Sequence, residues 1–253
     1  FLYVAPRYHT NQVPIIRGLK RKGHEVCFLS QYAGKVEDYS DLTPTVIGYS
    51  GFFLFFDRIY MALMKNRDAY AGDRKMKCGF PPIGKLKRAI RDSHGDVAIL
   101  RERSVYSICA YLLCKKYKIP AILYNQSPLW EDCIKNDPAH RLMRLLTPTV
   151  RMTPVMGVQD GRKVKEPGAA FVPFVMEPEQ KAEEKRWIKD SITHIFSIGK
   201  YEERKNHRML MEIVEELSAV YNIHLTIAGE RTTSAHQAYY CLLYTSPSPR
   251  DCS

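Results

Sequence analysis

In Ile192-Thr193-His194-Ile195-Phe196-Ser197-Ile198-Gly199-Lys200, residues Ile192–Ile198 read as a strand that runs into a glycine turn. Leu210, Ile213, Val214 and Leu217 then share one face at helical spacing, and Ile223-His224-Leu225-Thr226-Ile227-Ala228 returns as a second strand. A helix between two strands implies a right-handed crossover, which makes the strands parallel. The same order occurs twice earlier. Residues 1–5 and 26–29 are strand-like and flank a helix carrying Ile15, Ile16 and Leu19. Pro14 suits only a first turn, so that helix should start at 11–13, with Gly23 as its C-terminal cap. Residues 97–100 and 121–124 flank a helix whose core face is predicted to be Val105, Ile108, Cys109, Leu112 and Leu113. Three such units predict an α/β fold with doubly wound parallel sheets.

The composition agrees. The chain has 253 residues, 45% hydrophobic and 26% charged, which fits a globular core and excludes a disordered or collagen-like chain. No apolar run reaches the roughly 20 residues that span a bilayer. The chain opens inside an apolar run at Phe1, without Met and without the basic region of a secretory signal, as expected of a fragment. Between residues 147 and 178 lie five prolines and three glycines, so a domain boundary is expected near 175, giving domains 1–175 and 176–240. Residues 241–251, from Cys241 to Asp251, match one reading frame of a sequencing-library adapter, so 241–253 is expected to be a non-native tail. Cys27, Cys78, Cys109, Cys114 and Cys133 show no CxxC spacing, which favours reduced, cytosolic thiols over a disulfide framework or zinc site.

Charge is uneven. The formal net charge is +11, and residues 1–150 hold 24 Lys+Arg against 13 Asp+Glu, whereas 151–240 hold 13 of each. The excess points to an anionic partner of the first part: a membrane surface, nucleic acid or an acidic substrate. The most apolar stretch, residues 52–64, includes Phe52, Phe53, Phe55 and Phe56. It precedes Lys65, Arg67, Arg74, Lys75, Lys77, Lys85, Lys87, Arg88 and Arg91. Two readings stand: a core helix packed on the sheet, or peripheral contact with an anionic membrane through residues 52–91. No RNA-binding motif or aromatic ladder occurs, so no nucleic acid is expected as partner.

The segment Ser197-Ile198-Gly199-Lys200-Tyr201-Glu202-Glu203-Arg204-Lys205-Asn206-His207 carries the chemistry. It joins a strand end to a helix start, where backbone N–H groups and the helix dipole favour an anion. Lys200 and Lys205 can converge there on a diphosphate and stabilise a nucleoside-diphosphate leaving group without a metal. The plainer reading is a helix start with solvated lysines. Gly199-Lys200, Lys205-Asn206 and the later Leu225-Thr226-Ile227-Ala228-Gly229-Glu230 resemble the start of the donor domain in family-4 glycosyltransferases of the GT-B fold. Lys200 stands where that pattern has Arg, keeping the charge but losing the bidentate fork, and Asn206 stands where it has Gly.

The resemblance implies two Rossmann-like, doubly wound domains of GT-B type, the second truncated after its first βαβ unit. It implies metal-independent transfer of a sugar, with retention, from a nucleotide-sugar to a saccharide or lipid-linked acceptor. The donor diphosphate would lie on Gly199, Lys200 and Lys205, the acceptor on the first domain, and the reaction in the cleft between. No cofactor is implied, since the nucleotide-sugar is a substrate. The location implied is cytoplasmic, or peripheral at the inner face of the membrane. The family's glutamate pair, separated by seven residues, is absent, as is any Asp-X-Asp triplet. The pair is expected downstream of Glu230, so the catalytic residues stay unassigned and the chain as given should not turn over. Alternatives are a nucleotide-sugar 2-epimerase of the same fold, or a non-catalytic basic protein that binds membrane or nucleic acid.

Ligands sit at the carboxyl ends of parallel strands, which marks three loops of the first domain. In Pro6-Arg7-Tyr8-His9-Thr10-Asn11-Gln12, the candidates for acceptor contact are Arg7, His9 and Asn11; alternatively Thr10 or Asn11 only caps the helix. Asn125 and Gln126, after the strand at 121–124, are further acceptor-side candidates. Arg101-Glu102-Arg103 reads more simply as a local salt-bridge network.

Overall fold

The computed structural model describes residues 1–34, 38–64, 71–102, 104–126, 137–154, 169–176, 188–189, 191–229, 231 and 234–245. The chain divides into two compact units, Phe1–Glu177 and Pro178–Ser253. In the first, the described strands are β1 (Leu2–Ala5), β2 (Cys27–Ser30), β3 (Thr45–Val46), β4 (Ala98–Arg101), β5 (Ala121–Tyr124), β6 (Arg151–Thr153) and β7 (Ala169–Phe171). They form one sheet in the order β3-β2-β1-β4-β5-β6-β7, with every pairing parallel. The direction of winding reverses between β1 and β4, which is where a doubly wound sheet opens a crevice.

The alternation of side chains decides what covers each face. Leu2, Val4, Leu29, Ala98, Leu100 and Leu123 lie together in one core. It is closed by Leu86 and Ile90 of α4 (Ile83–Asp92) and by Tyr106, Ala110 and Cys114 of α5 (Val105–Lys116). Tyr3, Ala5 and Phe28 point the other way, under Ile16 of α1 (Val13–Arg21). Two helical layers on one parallel sheet make this unit an α/β, doubly wound domain. Helix α1 starts where Pro14 requires, and Gly23 takes the left-handed φ of +81° just beyond its end.

Two expectations fail at the helices. The buried face of α5 is Tyr106, Ser107, Ala110, Tyr111 and Cys114; of the predicted face, Cys109 and Leu113 pack partly buried against the core, whereas Val105 and Leu112 are 36% and 48% exposed. This helix is apolar on nearly every side, so spacing alone does not fix its rotation; packing of the two tyrosines does. The core-helix reading of residues 52–64 fails as well. In α2 (Gly51–Leu63) the one buried residue is Asp57, while Phe52 is 74%, Phe55 58% and Leu63 77% exposed. Asp57 is held by α3 (Ala71–Cys78), with Arg74 at 2.6 Å and Lys75 at 3.0 Å. Burial opposes ionisation of this carboxyl, yet hydrogen bonds and charge from Lys75 and Arg74 outweigh it and lower its pKa. Arg74 also lies 4.1 Å from the centre of the Tyr60 ring. Helix α2 is thus anchored by Asp57 and presents Phe52, Phe55 and Phe56 outward. Helix α6 (Pro138–Leu146) completes the described helices of this unit.

In the second unit, β9 (Ile192–Ile198) and β10 (Ile223–Ala228) pair in parallel, with α7 (His207–Leu217) between them in sequence. Both strands have the bounds that the sequence predicts. The short β8 (Ile188–Lys189) adds an antiparallel edge to β9, which the sequence did not signal. Helix α8 (Ser234–Thr245) continues past residue 241.

Candidate functional site

The Gly199–His207 segment lies at the carboxyl end of β9 and enters α7. Gly199 N–H donates to the Ala228 carbonyl at 2.9 Å, which aligns the two strand ends. Gly229 is packed so closely that a Cβ there would stand 1.9 Å from the Gly199 carbonyl oxygen. The chain then makes a short 3-10 turn, Glu203–Lys205, and Asn206 takes a left-handed conformation at φ 49°, ψ 42°. That conformation explains the departure noted in the sequence: after glycine, asparagine is the residue that enters this region most readily. Asn206 makes no side-chain cap to α7, so its first-turn N–H groups are not filled from the cap position.

Charged residues are concentrated at this turn. The Lys205 stem folds across Gly199, its carbons 3.3–3.4 Å from where a Cβ would be. Strand end and helix start are therefore brought together through this lysine. Lys200 and Lys205 are both exposed. Arg204 pairs with Glu202 at 2.5 Å and so contributes little net charge. Beneath the turn, Tyr201 is 7% exposed and its hydroxyl donates to the Ile227 carbonyl at 3.2 Å. His207 is 1% exposed, with its Nε2 at 3.2 Å from the Lys200 carbonyl. Neither Tyr201 nor His207 was picked out from the sequence. A tyrosine and a histidine inside a charged loop carry no local mark of burial. Glu230, the last residue of the matched motif, lies outside the described residues.

In the first unit the acceptor-side candidates fall at the carboxyl ends of two strands of one sheet, separated by β4. Arg7, His9 and Asn11 follow β1, and Asn125 and Gln126 follow β5. His9 caps a 3-10 turn, Thr10–Gln12, that leads into α1: its Nδ1 accepts from Asn11 N–H at 3.3 Å, and Gln12 Oε1 accepts from His9 N–H at 2.8 Å; α1 itself follows Gln12 without a side-chain cap, so neither Thr10 nor Asn11 caps it. His9 is exposed beside the buried Tyr8, whose phenol burial and the nearby Asp41 push up to about 12.

Of the predicted local network at 101–103, Arg103 lies outside the described residues; Glu102 and Arg101 make longer-range contacts. Glu102 Oε1 pairs with Arg151 Nε at 2.8 Å, both side chains 5% exposed. Asn125 Nδ2 donates to Glu102 Oε2 at 3.0 Å. Arg151 also donates to the Thr147 and Thr149 carbonyls at 3.2 and 3.1 Å. Arg101 instead donates to Gln126 Oε1 at 2.8 Å. Asn125 and Gln126 are thus oriented by a glutamate and an arginine that the sequence could not connect to them, and Arg151 lies on β6.

Phe52, Phe53 and Phe56 of α2 line an apolar groove of about 430 Å³ with Cys78 and Phe80. Ser50 N–H donates to the Phe80 carbonyl at 2.8 Å and ties its walls. Among the described residues, no helix is long and apolar enough to cross a membrane.

No protein-family model and no curated protein matches the chain. Solved structures do. One is described as the glycosyltransferase of kitacinnamycin, 16% identical, aligned over 92% of this chain and 66% of that one, with a TM-score of 0.50. Another is a trehalose-6-phosphate synthase studied with bisubstrate glycomimetics for glycosyl transfer with retention. It is 13% identical over 96% of this chain and 67% of that one, with a TM-score of 0.51. The chain therefore spans about two thirds of each of those proteins. At this identity the likeness concerns the fold, which is the α/β architecture of GT-B glycosyltransferases.

Proposed function

We propose that this chain belongs to a metal-independent, retaining glycosyltransferase of the family-4 type, which moves a sugar from a nucleoside-diphosphate donor to a saccharide or lipid-linked acceptor. The observation that carries the reading is the β9–α7 turn. Lys205 is folded onto Gly199, Lys200 flanks it, and the first-turn amides of α7 are left without a side-chain cap. A diphosphate at this position meets a helix N-terminus and lysine charge together, and neither needs a metal to neutralise the leaving group. Arg7, His9, Asn11, Asn125 and Gln126 would meet the acceptor at the carboxyl ends of the first sheet.

Binding of uridine and guanosine diphosphate to the 253-residue chain, measured by calorimetry, tests the donor site. Lys205→Ala should weaken the better of the two by about tenfold or more, the loss of one hydrogen bond to a charged group. Equal affinity in the variant would remove Lys205 from the site.

The same reading places the first unit at the cytoplasmic face of an anionic membrane. Support comes from the outward aromatic face of α2 and from the basic residues of α3 and α4, including Lys77, Lys87 and Arg88. Phe55 and Leu63 are 58% and 77% exposed, so burying them in the lipid interface adds stabilisation with little loss of internal packing. Co-sedimentation with phosphatidylglycerol vesicles should fall about tenfold in a Phe55→Ser, Leu63→Ser variant that melts like the parent. Binding that persists in the variant would assign the contact elsewhere.

A further inference from the structure

We infer that the backbone N–H of Tyr201 is a phosphate donor, and that buried His207 is the positioning residue that aims it. The inference rests on the donor-site reading above and adds two groups to it. The Lys200 carbonyl receives two hydrogen bonds, from Glu202 N–H at 2.9 Å and from His207 Nε2 at 3.2 Å. Two bonds fill both lone pairs of a carbonyl oxygen and fix its direction. The peptide between Lys200 and Tyr201 is trans and planar, so the Tyr201 N–H points opposite to that carbonyl, away from His207. Among the described residues this N–H has no acceptor.

His207 is suited to the positioning role and to little else. It is 1% exposed and packed by the rings of Tyr201 and Tyr239, at 5.4 and 6.5 Å. A carbonyl can only accept, so the proton of the imidazole is on Nε2. Among the described residues the other nitrogen, Nδ1, is buried without a partner. An apolar ring would fill the same space without burying that nitrogen, which is unfavourable to desolvate. What histidine adds over such a ring is the Nε2–H bond to Lys200. With the carbonyl drawn inward, the Tyr201 N–H, the α7 amides and the Lys205 ammonium are available to one anion at the carboxyl end of β9.

Inorganic pyrophosphate is the probe, since it needs no nucleoside pocket. The 253-residue chain is titrated in metal-free buffer by calorimetry and by amide NMR. Pyrophosphate should bind the parent, and the Tyr201 amide resonance should be among those that move most. His207→Phe keeps the ring and removes the donor; it should weaken binding about tenfold. His207→Gln, which returns an N–H at the same reach, should recover affinity to within about threefold. Recovery by glutamine separates positioning from packing, because a purely structural role would favour phenylalanine. If the parent binds and Lys205→Ala weakens it, but His207→Phe binds as the parent does, the positioning role is overturned and the donor site stands. A Tyr201 amide that does not move on saturation overturns the N–H assignment even if His207→Phe fails to fold. A parent that binds no pyrophosphate overturns both.

Discussion

Gly229→Ala should abolish measurable diphosphate binding and lower the stability of the second unit by about 3 kcal/mol, the upper range for forcing a methyl group into a filled space. The added Cβ would fall 1.9 Å from the Gly199 carbonyl oxygen and 3.1 Å from the Tyr201 ring. The first is backbone at a strand end, held by the 2.9 Å bond from Gly199 N–H to the Ala228 carbonyl, and it cannot swing away as a side chain does. Relief requires β9 and β10 to separate at their carboxyl ends, and that separation moves Gly199, Lys200 and Tyr201 together. Gly199→Ala is the informative contrast. The nearest atoms to its Cβ would be those of the flexible Lys205 stem at 3.3–3.4 Å, so that variant should fold normally and lose affinity only modestly. Thermal melting with calorimetric titration of uridine diphosphate checks both. Similar losses in the two variants would contradict the geometry.

Arg151→Leu should cost about 3–5 kcal/mol, because it strands the Glu102 carboxylate in a buried position. Arg151 and Glu102 are both 5% exposed in their side chains, and Arg151 supplies bonds to the Thr147 and Thr149 carbonyls as well. In a chain of this size that loss should lower the thermal midpoint by about 10 °C. Adding Glu102→Leu should restore most of the stability, since removing both charges is far less costly than removing one. The double variant should still lose acceptor-side function, because Asn125 would no longer donate to Glu102. A single Arg151→Leu variant as stable as the parent would show that the pair is solvated.

The secondary structure was largely legible because its signals are local. Strands β5, β9 and β10 have the predicted bounds, set by apolar runs that end in Pro, Gly or Asn. Helix α1 starts where Pro14 allows. The basic composition of the β9–α7 turn is local as well, whereas the contact of the Lys205 stem with Gly199 is something the structure adds. Helix α5 marks the limit of periodicity. Its tyrosines, cysteines and leucines surround the axis, so no single face stands out, and the sheet it packs on decides which residues are buried.

By itself the sequence determined a doubly wound α/β chain, a lysine-bearing strand-to-helix turn and an excess of positive charge in its first part. Only the tertiary structure decided that α2 turns its phenylalanines outward. It also decided that Glu102 pairs with Arg151 across 49 residues of chain, and that His207 reaches back to the Lys200 carbonyl. The physical reason is the range of the forces involved. Backbone preference and hydrophobic period act over a few residues, whereas the burial of a charge or an imidazole is fixed by whichever distant segment comes to pack against it.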